Sequence, residues 1–387
     1  MTVFNFLVFM IKTFQSNQGI LCRMDVMSDE SFLNREHVRL ALYWEEVEGK
    51  PGYIRCNLCH RRCIIAPGAY GVCGVRKNIG GKLYTLVYGL LTAANLDPIE
   101  KKPLMHFHPG SGVFSISTVG CNFFCQFCQN WEISQSRLEK GLYGHYMSPE
   151  EVVKVAKKYG ADGISYTYNE PTIFYEFMLD TAKLAKKEGL FNTMVTNGYI
   201  TPEALKELAP YMDAATVDFK GGVNKEFYKK YIGVPDPSPI FDTLLEMKKH
   251  GIFIEITNLV VPLVGDDEED VKRLARWIVD NLGPETPFHL LRFYPHYKMI
   301  DFPPTETKTL EKLAIVAKNE GLEYVYIGNV WGHPMENTYC PKCGYKLVER
   351  RGFYIVSWNL TEDNRCPRCG YRINIVGKYK GKKHSLF

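Results

Sequence analysis

The stretch VFSISTVGCNFFCQFCQNW, Val113 to Trp131, decides how this chain is read. Its first part, VFSIST (Val113 to Thr118), is rich in β-branched and apolar residues and predicts a buried strand. Its second part carries Cys121, Cys125 and Cys128 at C-x3-C-x2-C spacing. Thiols that follow a strand sit on a loop at its C-terminal end, where barrel enzymes place their chemistry. Three thiolates can hold a [4Fe–4S] cluster by three of its irons. The fourth iron then lacks a protein ligand and stays open, whereas electron-carrier clusters usually have four cysteines. A zinc knuckle is the plainer alternative, but no fourth ligand lies nearby; the nearest histidines in sequence are His108 and His145.

Outward from this loop, apolar strands alternate with helical patterns. Strands are expected at 113–118, 162–168, 191–196, 213–218, 252–260, 288–292 and 323–328. Helices are expected at 148–159, 171–188, 202–209, 237–250, 267–281 and 306–319. Ser148-Pro149-Glu150 and Thr201-Pro202-Glu203 each put an N-cap before a proline at the first helical position. Repeated β/α alternation implies a parallel sheet with right-handed crossovers. The expected fold class is α/β, a partial (β/α) TIM-like barrel; a doubly wound open sheet is the alternative. Before it, Arg35 to Trp44 reads as a short amphipathic helix and Leu83 to Asn95 as strand and turn.

Two further cysteine sets flank the barrel. Cys56, Cys59, Cys63 and Cys73 form C-x2-C-x3-C-x9-C in a Gly- and Arg-rich segment, an N-terminal metal knob. Zinc is the commoner answer for four cysteines, and a second [4Fe–4S] cluster stays open. Cys340, Cys343, Cys366 and Cys369 form C-x2-C-x22-C-x2-C, each pair followed by glycine (Gly344, Gly370). Short strands lie between, and the pattern predicts a C-terminal zinc ribbon. Its metal supplies folding energy for a segment too small for its own core. The expected domains are an N-terminal extension and helix (1–50), the four-cysteine subdomain and linker (51–110), the barrel (111–335), and the ribbon with a basic tail (336–387).

Composition sets the surroundings. The chain has 387 residues, 45% hydrophobic and 23% charged, with a net charge of +4, as expected of a soluble globular protein. Glutamine is scarce beside many Lys and Glu, which leans toward a thermophile. Of twelve cysteines, eleven fall at metal-ligand spacing and Cys22 is left over, which points to metal sites in a reducing cytoplasm rather than disulfides. The run Phe4 to Ile11 is apolar but too short to span a bilayer, which takes about 20 residues. Residues 1–23 read either as native chain or as an extension from an upstream start codon, with Met24 the true start.

The triad, with aromatic Phe127 before its last cysteine, resembles that of the radical SAM enzymes. Within them the chain is similar to the glycyl-radical activating enzymes, such as pyruvate formate-lyase activase. DPIEKKPLMHFHPGS (Asp97 to Ser111) and CQNW (Cys128 to Trp131) look most like the radical SAM member of the AmmeMemoRadiSam group. The resemblance runs from Cys56 to Asn329. It implies that the open iron chelates S-adenosylmethionine (SAM), and that reductive C–S cleavage yields a 5′-deoxyadenosyl radical that abstracts hydrogen from a substrate.

The resemblance also implies where SAM is held. Tyr168-Asn169-Glu170-Pro171 stands where the family has GGEP; the two glycines are replaced, so Glu170 and the backbone carry over. Thr196-Asn197-Gly198 matches a TNG segment that contacts SAM, and Asp218-Phe219-Lys220 a D-x-K segment. Val261-Pro262-Leu263 opens an altered loop, VPLVGDD. Arg292 and His296, in LRFYPHYKM, are candidates for carboxylate contacts. Each also has an ordinary reading: a helix-end acid for Glu170, a common turn for Asn-Gly, a local ion pair for Asp218 and Lys220, a structural histidine for His296. An external electron donor of ferredoxin or flavodoxin type is implied, with AMMECR-type and Memo-type proteins as candidate partners. The substrate is expected to be a protein, peptide or RNA. RNA modification guided by the ribbon, and a non-catalytic Fe–S scaffold or electron carrier, are the competing functions.

Overall fold

The computed structural model of the protein describes residues 33–138, 144–379 and 381. The run Phe4 to Ile11, Cys22, Met24 and the tail lysines Lys380, Lys382 and Lys383 lie outside the described residues.

Eight strands form one sheet: β1 Ala93–Pro98, β2 Gly112–Ser117, β3 Gly163–Tyr166, β4 Phe191–Thr196, β5 Ala214–Lys220, β6 Phe253–Val260, β7 Phe288–Arg292 and β8 Val325–Gly328. Their spatial order is the chain order, without the reversal that defines a doubly wound sheet. Strands β2 to β8 are parallel, and β1 runs antiparallel against β2 as an edge. Every residue of β2 is buried, which explains its unbroken apolar and small-polar run.

The crossovers are α1 Pro149–Lys158, α2 Tyr175–Lys187, α3 Pro202–Leu208, α4 Ser238–Lys249, α5 Glu268–Asn281 and α6 Thr307–Asn319. Right-handed crossovers in sequential order carry the helices to one face and gather the loops that follow each strand at one end. Ser148 starts α1 with a full capping box: its hydroxyl accepts from Glu151 N–H and the Glu151 carboxylate accepts from Ser148 N–H. Thr201 does not cap α3 with its side chain. Its hydroxyl donates instead to the carbonyls of Asn57 (2.9 Å) and Leu58 (3.1 Å), tying α3 to the N-terminal segment. The helix expected from residue 171 opens as a 3-10 turn, Pro171–Phe174.

The N-terminal segment departs from expectation at Arg35 to Trp44. It is not a helix; Arg39–Leu40 and Trp44–Glu46 are short strands. Distant partners outbid local helix bonds here. Leu42 N–H donates to Glu176 (2.7 Å), Arg76 donates to the Leu42 carbonyl (3.1 Å), and Ala41 N–H donates to the Leu83 carbonyl (2.8 Å). Arg76 and Glu176 form a buried ion pair that anchors this segment to α2.

At the C-terminal end of the chain, β9 Thr338–Tyr339, β10 Lys346–Arg351 and β11 Tyr354–Trp358 form a small antiparallel sheet. It docks at the N-terminal ends of β6 to β8. Arg350 donates to the Met105 carbonyl (2.9 Å), Tyr326 meets Thr338 (2.7 Å), and His106 meets the Asn374 carbonyl (2.7 Å). Beneath them Glu255 pairs with His289 (2.7 Å) and accepts from His106 N–H (2.7 Å). The far end of the sheet is therefore closed by a polar network, in which Arg350 Nε is buried without a hydrogen-bond partner. No described helix is long and apolar enough to cross a membrane.

Candidate active site

The loop of Cys121, Cys125 and Cys128 follows β2 and is strapped from several sides. Asn169 donates to the carbonyls of Thr118 (2.6 Å) and Gly120 (2.8 Å) at its start. Asn130 donates to the Tyr168 carbonyl (2.7 Å) at its end. In the middle, Phe124 N–H and Gln126 N–H donate to the Ile232 and Tyr231 carbonyls, both at 2.9 Å, and Lys298 N–H donates to Gln126 (2.9 Å). Phe127 is buried between Phe227 (5.9 Å between centroids) and Phe293 (6.4 Å). This pins the loop to the ends of β2, β3, β5 and β7.

The thiols face donors. Phe123 N–H lies 3.4 Å from the Cys121 sulfur, and the Ser134 hydroxyl 3.1 Å from that of Cys128. Burial pushes all three thiols up: Cys125 to about 12, Cys128 less, and Cys121 well up, with Glu170 and Cys125 adding to the last. Lys220 pulls the other way at Cys125 and Cys128. Burial opposes the Lys220 charge, but Asp218 and these two thiols outweigh it and raise its ammonium. A partly buried cation beside these thiols favours their thiolate forms. Lys220 also pairs with Asp218 (3.0 Å), which accepts from the Thr257 hydroxyl (2.6 Å).

Glu170 is buried, and donors of this chain occupy its carboxylate. Thr172 N–H (3.0 Å), the Thr172 hydroxyl (2.6 Å) and the Thr196 hydroxyl (2.8 Å) donate to one oxygen, and Asn197 N–H (2.7 Å) to the other. The side chain thus tightens the 3-10 turn after β3 and holds the turn after β4. Asn197 in turn donates to Asn122 of the cysteine loop (2.7 Å). Gly198 follows at φ 70°, where an added Cβ would lie 2.9 Å from Ile240 and 3.0 Å from Val217. Beside the loop, Asn122 Nδ2 and Asn169 Oδ1 are buried without a hydrogen-bond partner. They offer a donor and an acceptor to a polar ligand.

Arg292 and His296 sit farther out. Arg292 donates to the Thr305 carbonyl (2.8 Å) and lies over the Tyr294 ring (5.0 Å). His296 is half-buried and meets the Tyr294 carbonyl (3.1 Å). Neither has a contact to the cysteine loop among its described hydrogen bonds.

Sequence reasoning missed a second layer. Tyr168 has φ 68°, a left-handed backbone at the position of the first family glycine. Its hydroxyl donates to Asp97, and Lys102, buried, pairs with Asp97 (2.7 Å) while lying 4.4 Å from the Tyr168 ring. Asp97 and Lys102 come from the quoted DPIEKKP run, but nothing in the string says that it folds under β3. Asn122 was likewise unmarked.

The two flanking cysteine sets differ. In the C-terminal set, Cys340 and Cys369 sulfurs lie 3.5 Å apart and Cys343 and Cys366 sulfurs 3.6 Å apart. Burial pushes the Cys366 thiol up, but the N–H groups of Cys369 and Arg368 outweigh it and bring it down to about 7. Among the described residues, only this set brings three or more potential ligand atoms within 4.8 Å of one another. The triad and Cys56, Cys59, Cys63 and Cys73 are therefore more widely spread.

Residues 115–278 match the radical SAM superfamily. An uncharacterized protein of Methanocaldococcus jannaschii is 48% identical over 340 residues, covering 88% of this chain and 100% of that protein. A pyruvate formate-lyase-activating enzyme of Clostridium pasteurianum is 24% identical, covering 50% of this chain and 82% of its own length. Among solved structures, a domain of pyruvate-formate lyase-activating enzyme from Bacteroides vulgatus aligns at 18% identity and TM-score 0.38, covering 44% of this chain and 100% of that one.

Proposed function

Since the chain belongs to one family with the Methanocaldococcus protein and is a radical SAM enzyme, we propose that Cys121, Cys125 and Cys128 hold a [4Fe–4S] cluster whose open iron takes SAM. The observation that carries this is the thiol loop itself: three thiols strapped to four strand ends, with Lys220 beside two of them. Their spread beyond 4.8 Å suits a cluster rather than one zinc ion. When bound, cluster and SAM supply reductive C–S cleavage and a 5′-deoxyadenosyl radical that takes hydrogen from a substrate.

The chain's own residues position and enclose. Asn169 and Asn130 fix the loop ends, and Phe127 closes one side against water. Glu170 holds Thr196 and Asn197, so in this reading it orders the SAM-facing turn more than it contacts the ligand. Asn122 Nδ2, Asn169 Oδ1, Asn197 and the ammonium of Lys220 are the groups offered to SAM, with Asp218 fixing Lys220. Arg292 and His296 belong to the rim, on the substrate side.

We read residues 111–335 as a partial (β/α) barrel, 51–110 as the N-terminal metal subdomain, and 336–387 as a zinc ribbon on Cys340, Cys343, Cys366 and Cys369. The substrate class is a macromolecule, as for activating enzymes, and the AmmeMemoRadiSam subgroup is the finer assignment, resting on the Asp97 to Ser111 string. An external low-potential electron donor completes the system. Anaerobic protein reduced with dithionite converts SAM to methionine and 5′-deoxyadenosine in this account, and Cys125→Ala abolishes it with the loss of one cluster's iron. Full cleavage by the variant would overturn the assignment.

A further inference from the structure

The two C-terminal cysteine turns repeat one another. CPKCGYK (Cys340 to Lys346) and CPRCGYR (Cys366 to Arg372) differ only by Lys or Arg at two positions. Metal binding accounts for the cysteines, and Gly344 and Gly370, both at φ 72°, for the turns. It does not account for a tyrosine and two cations in each copy. Residues 336–387 hold eleven Lys and Arg against four Asp and Glu, a net charge of +7, so the other 335 residues carry −3. Four thiolates on one zinc(II) would subtract two, which leaves a surplus of about five positive charges in 52 residues. Ion pairs do not absorb that surplus. Among the described residues the pairs of this module are Lys346 with Glu349 (3.2 Å) and Arg365 with Asp363 (2.7 Å); Lys342, Arg351, Arg368 and Arg372 are exposed and have none. A patch of one sign, without acids to neutralise it, is the footprint of a polyanionic partner.

Flat rings lie beside these cations. A cleft of about 500 Å³ opens between the first cysteine turn and the end of α6, and Lys318, Lys342, Tyr339 and Tyr371 line it with Glu323. Tyr371 donates to Glu323 (2.7 Å), which occupies the one carboxylate of the lining. Tyr339 is 37% exposed. A concave site of this size, with an open ring and two ammonium groups, suits a base and its phosphate. From the cleft, where Lys346 pairs with Tyr339, β10 runs six residues, about 20 Å, to the hairpin at Gly352. A Cβ on Gly352 would lie 3.0 Å from the Trp331 ring, and Trp331, just after β8, is 68% exposed. Beyond it Tyr294 donates to the Asn329 carbonyl (3.0 Å), and Arg292 lies over the Tyr294 ring. Rings and cations therefore alternate from the cleft to the end of the sheet that carries the triad loop. Cations alone would also suit an acidic protein; the open rings beside them favour bases, and only an unpaired strand offers base faces.

We propose that the C-terminal module binds single-stranded RNA, with phosphates on Lys318, Lys342, Arg368 and Arg372 and bases on Tyr339 and Trp331, and leads the strand toward the barrel mouth. Binding is noncovalent and needs no reductant. Delivery of the strand as substrate rests on the radical SAM reading of the triad; binding itself does not.

The test uses the full chain, anaerobic and zinc-loaded, and a fluorescein-labelled RNA of about 20 nucleotides without self-pairing, read by fluorescence anisotropy over a range of salt. Wild type binds, with an affinity that falls steeply as salt rises. The triple variant K342Q/R368Q/R372Q removes three phosphate contacts and lowers the slope of log affinity against log salt by about 2, at about 0.7 for each phosphate of a single strand. Tyr339→Leu weakens binding about tenfold at an unchanged slope, and Tyr339→Phe restores it. Zinc content and melting temperature report the fold of each variant. If the triple variant loses zinc, the contrast between Tyr339→Leu and Tyr339→Phe decides. No binding by wild type, an unchanged slope in a folded triple variant, or tighter binding of polyglutamate or of the matching DNA strand would overturn the proposal. Cleavage of SAM is measured on the same preparations. RNA binding without cleavage would remove the radical SAM reading and keep this surface; cleavage without RNA binding would do the reverse.

Discussion

The C-terminal cysteines close to 3.5 and 3.6 Å across their pairs, and among the described residues neither the N-terminal four nor the triad gathers three ligand atoms within 4.8 Å of one another. Both flanking sets have four thiols within a short span of chain, so cysteine count does not separate them. Surroundings do. The C-terminal thiols sit on two glycine-ended turns of a small antiparallel sheet, where only a point ion is needed to join them. The N-terminal thiols come from a strand end, a loop and a return segment, packed against a buried arginine and the loop of Cys121. One set lies within a small module of its own; the other packs beside the triad loop.

That contrast can be broken, most forcefully at the C-terminal set. Structural zinc in such modules contributes about 10–16 kcal/mol of binding free energy that is also folding free energy. Cys343→Ala should therefore release about one zinc and make residues 338–379 sensitive to limited proteolysis, while iron content and helical circular dichroism persist. Parallel loss of iron would show that the two regions are not independent.

Arg76→Met probes the other side. It removes one partner of a buried ion pair and leaves Glu176 uncompensated, a change that typically costs about 3–5 kcal/mol. Chemical denaturation should show that loss, with metal bound at the N-terminal set falling and that at Cys340, Cys343, Cys366 and Cys369 unchanged. Loss of metal from the C-terminal set alone would reverse the comparison.

Glu170→Gln tests the turn that backs the triad loop. Hydrogen bonds to a charged group contribute about 1.5–3 kcal/mol, and the carboxylate holds Thr172, Thr196 and Asn197. The melting temperature should fall while iron stays. Titration of SAM should show less than about a tenfold change in affinity, equal to 1.4 kcal/mol. A larger affinity loss at an unchanged melting temperature would put Glu170 on SAM directly.

The smallest effect lies at the seam of the C-terminal module. Burial raises the Glu100 carboxyl to about 7, with Arg350 partly offsetting it. Below about pH 4.5 it is protonated in both folded and unfolded chains. As pH rises through about 7 the unfolded chain ionises first, so the folded state binds more protons and stability falls across that window. Glu100→Gln should remove this slope, gaining on the order of 1 kcal/mol at pH 7.5 and nothing at pH 4. An equal gain at both pH values would remove the buried acid as its cause.

Much of this was legible in the sequence. Each strand of the parallel sheet expected from apolar runs is present within a few residues, because β2 to β8 are largely buried and repeat with helices of 3.6-residue period. The triad was marked by its cysteine spacing after a strand, and the D-x-K pair and the TNG turn by resemblance to the family; all three lie at or just after the ends of parallel strands. The N-terminal segment was misread. Its helical periodicity is real, but Arg76, Glu176 and Leu83 hold Ala41 and Leu42 from far along the chain, and no local pattern reports that. Asp97, Lys102 and Tyr168 were invisible as a group for the same reason. The occupied carboxylate of Glu170 is a property of packing alone.

The most direct measurement is anomalous diffraction from anaerobically grown crystals of the whole chain, collected at the iron and zinc edges. The account predicts iron density at Cys121, Cys125 and Cys128, and zinc without iron at Cys340, Cys343, Cys366 and Cys369. Zinc in place of iron at the triad would contradict it.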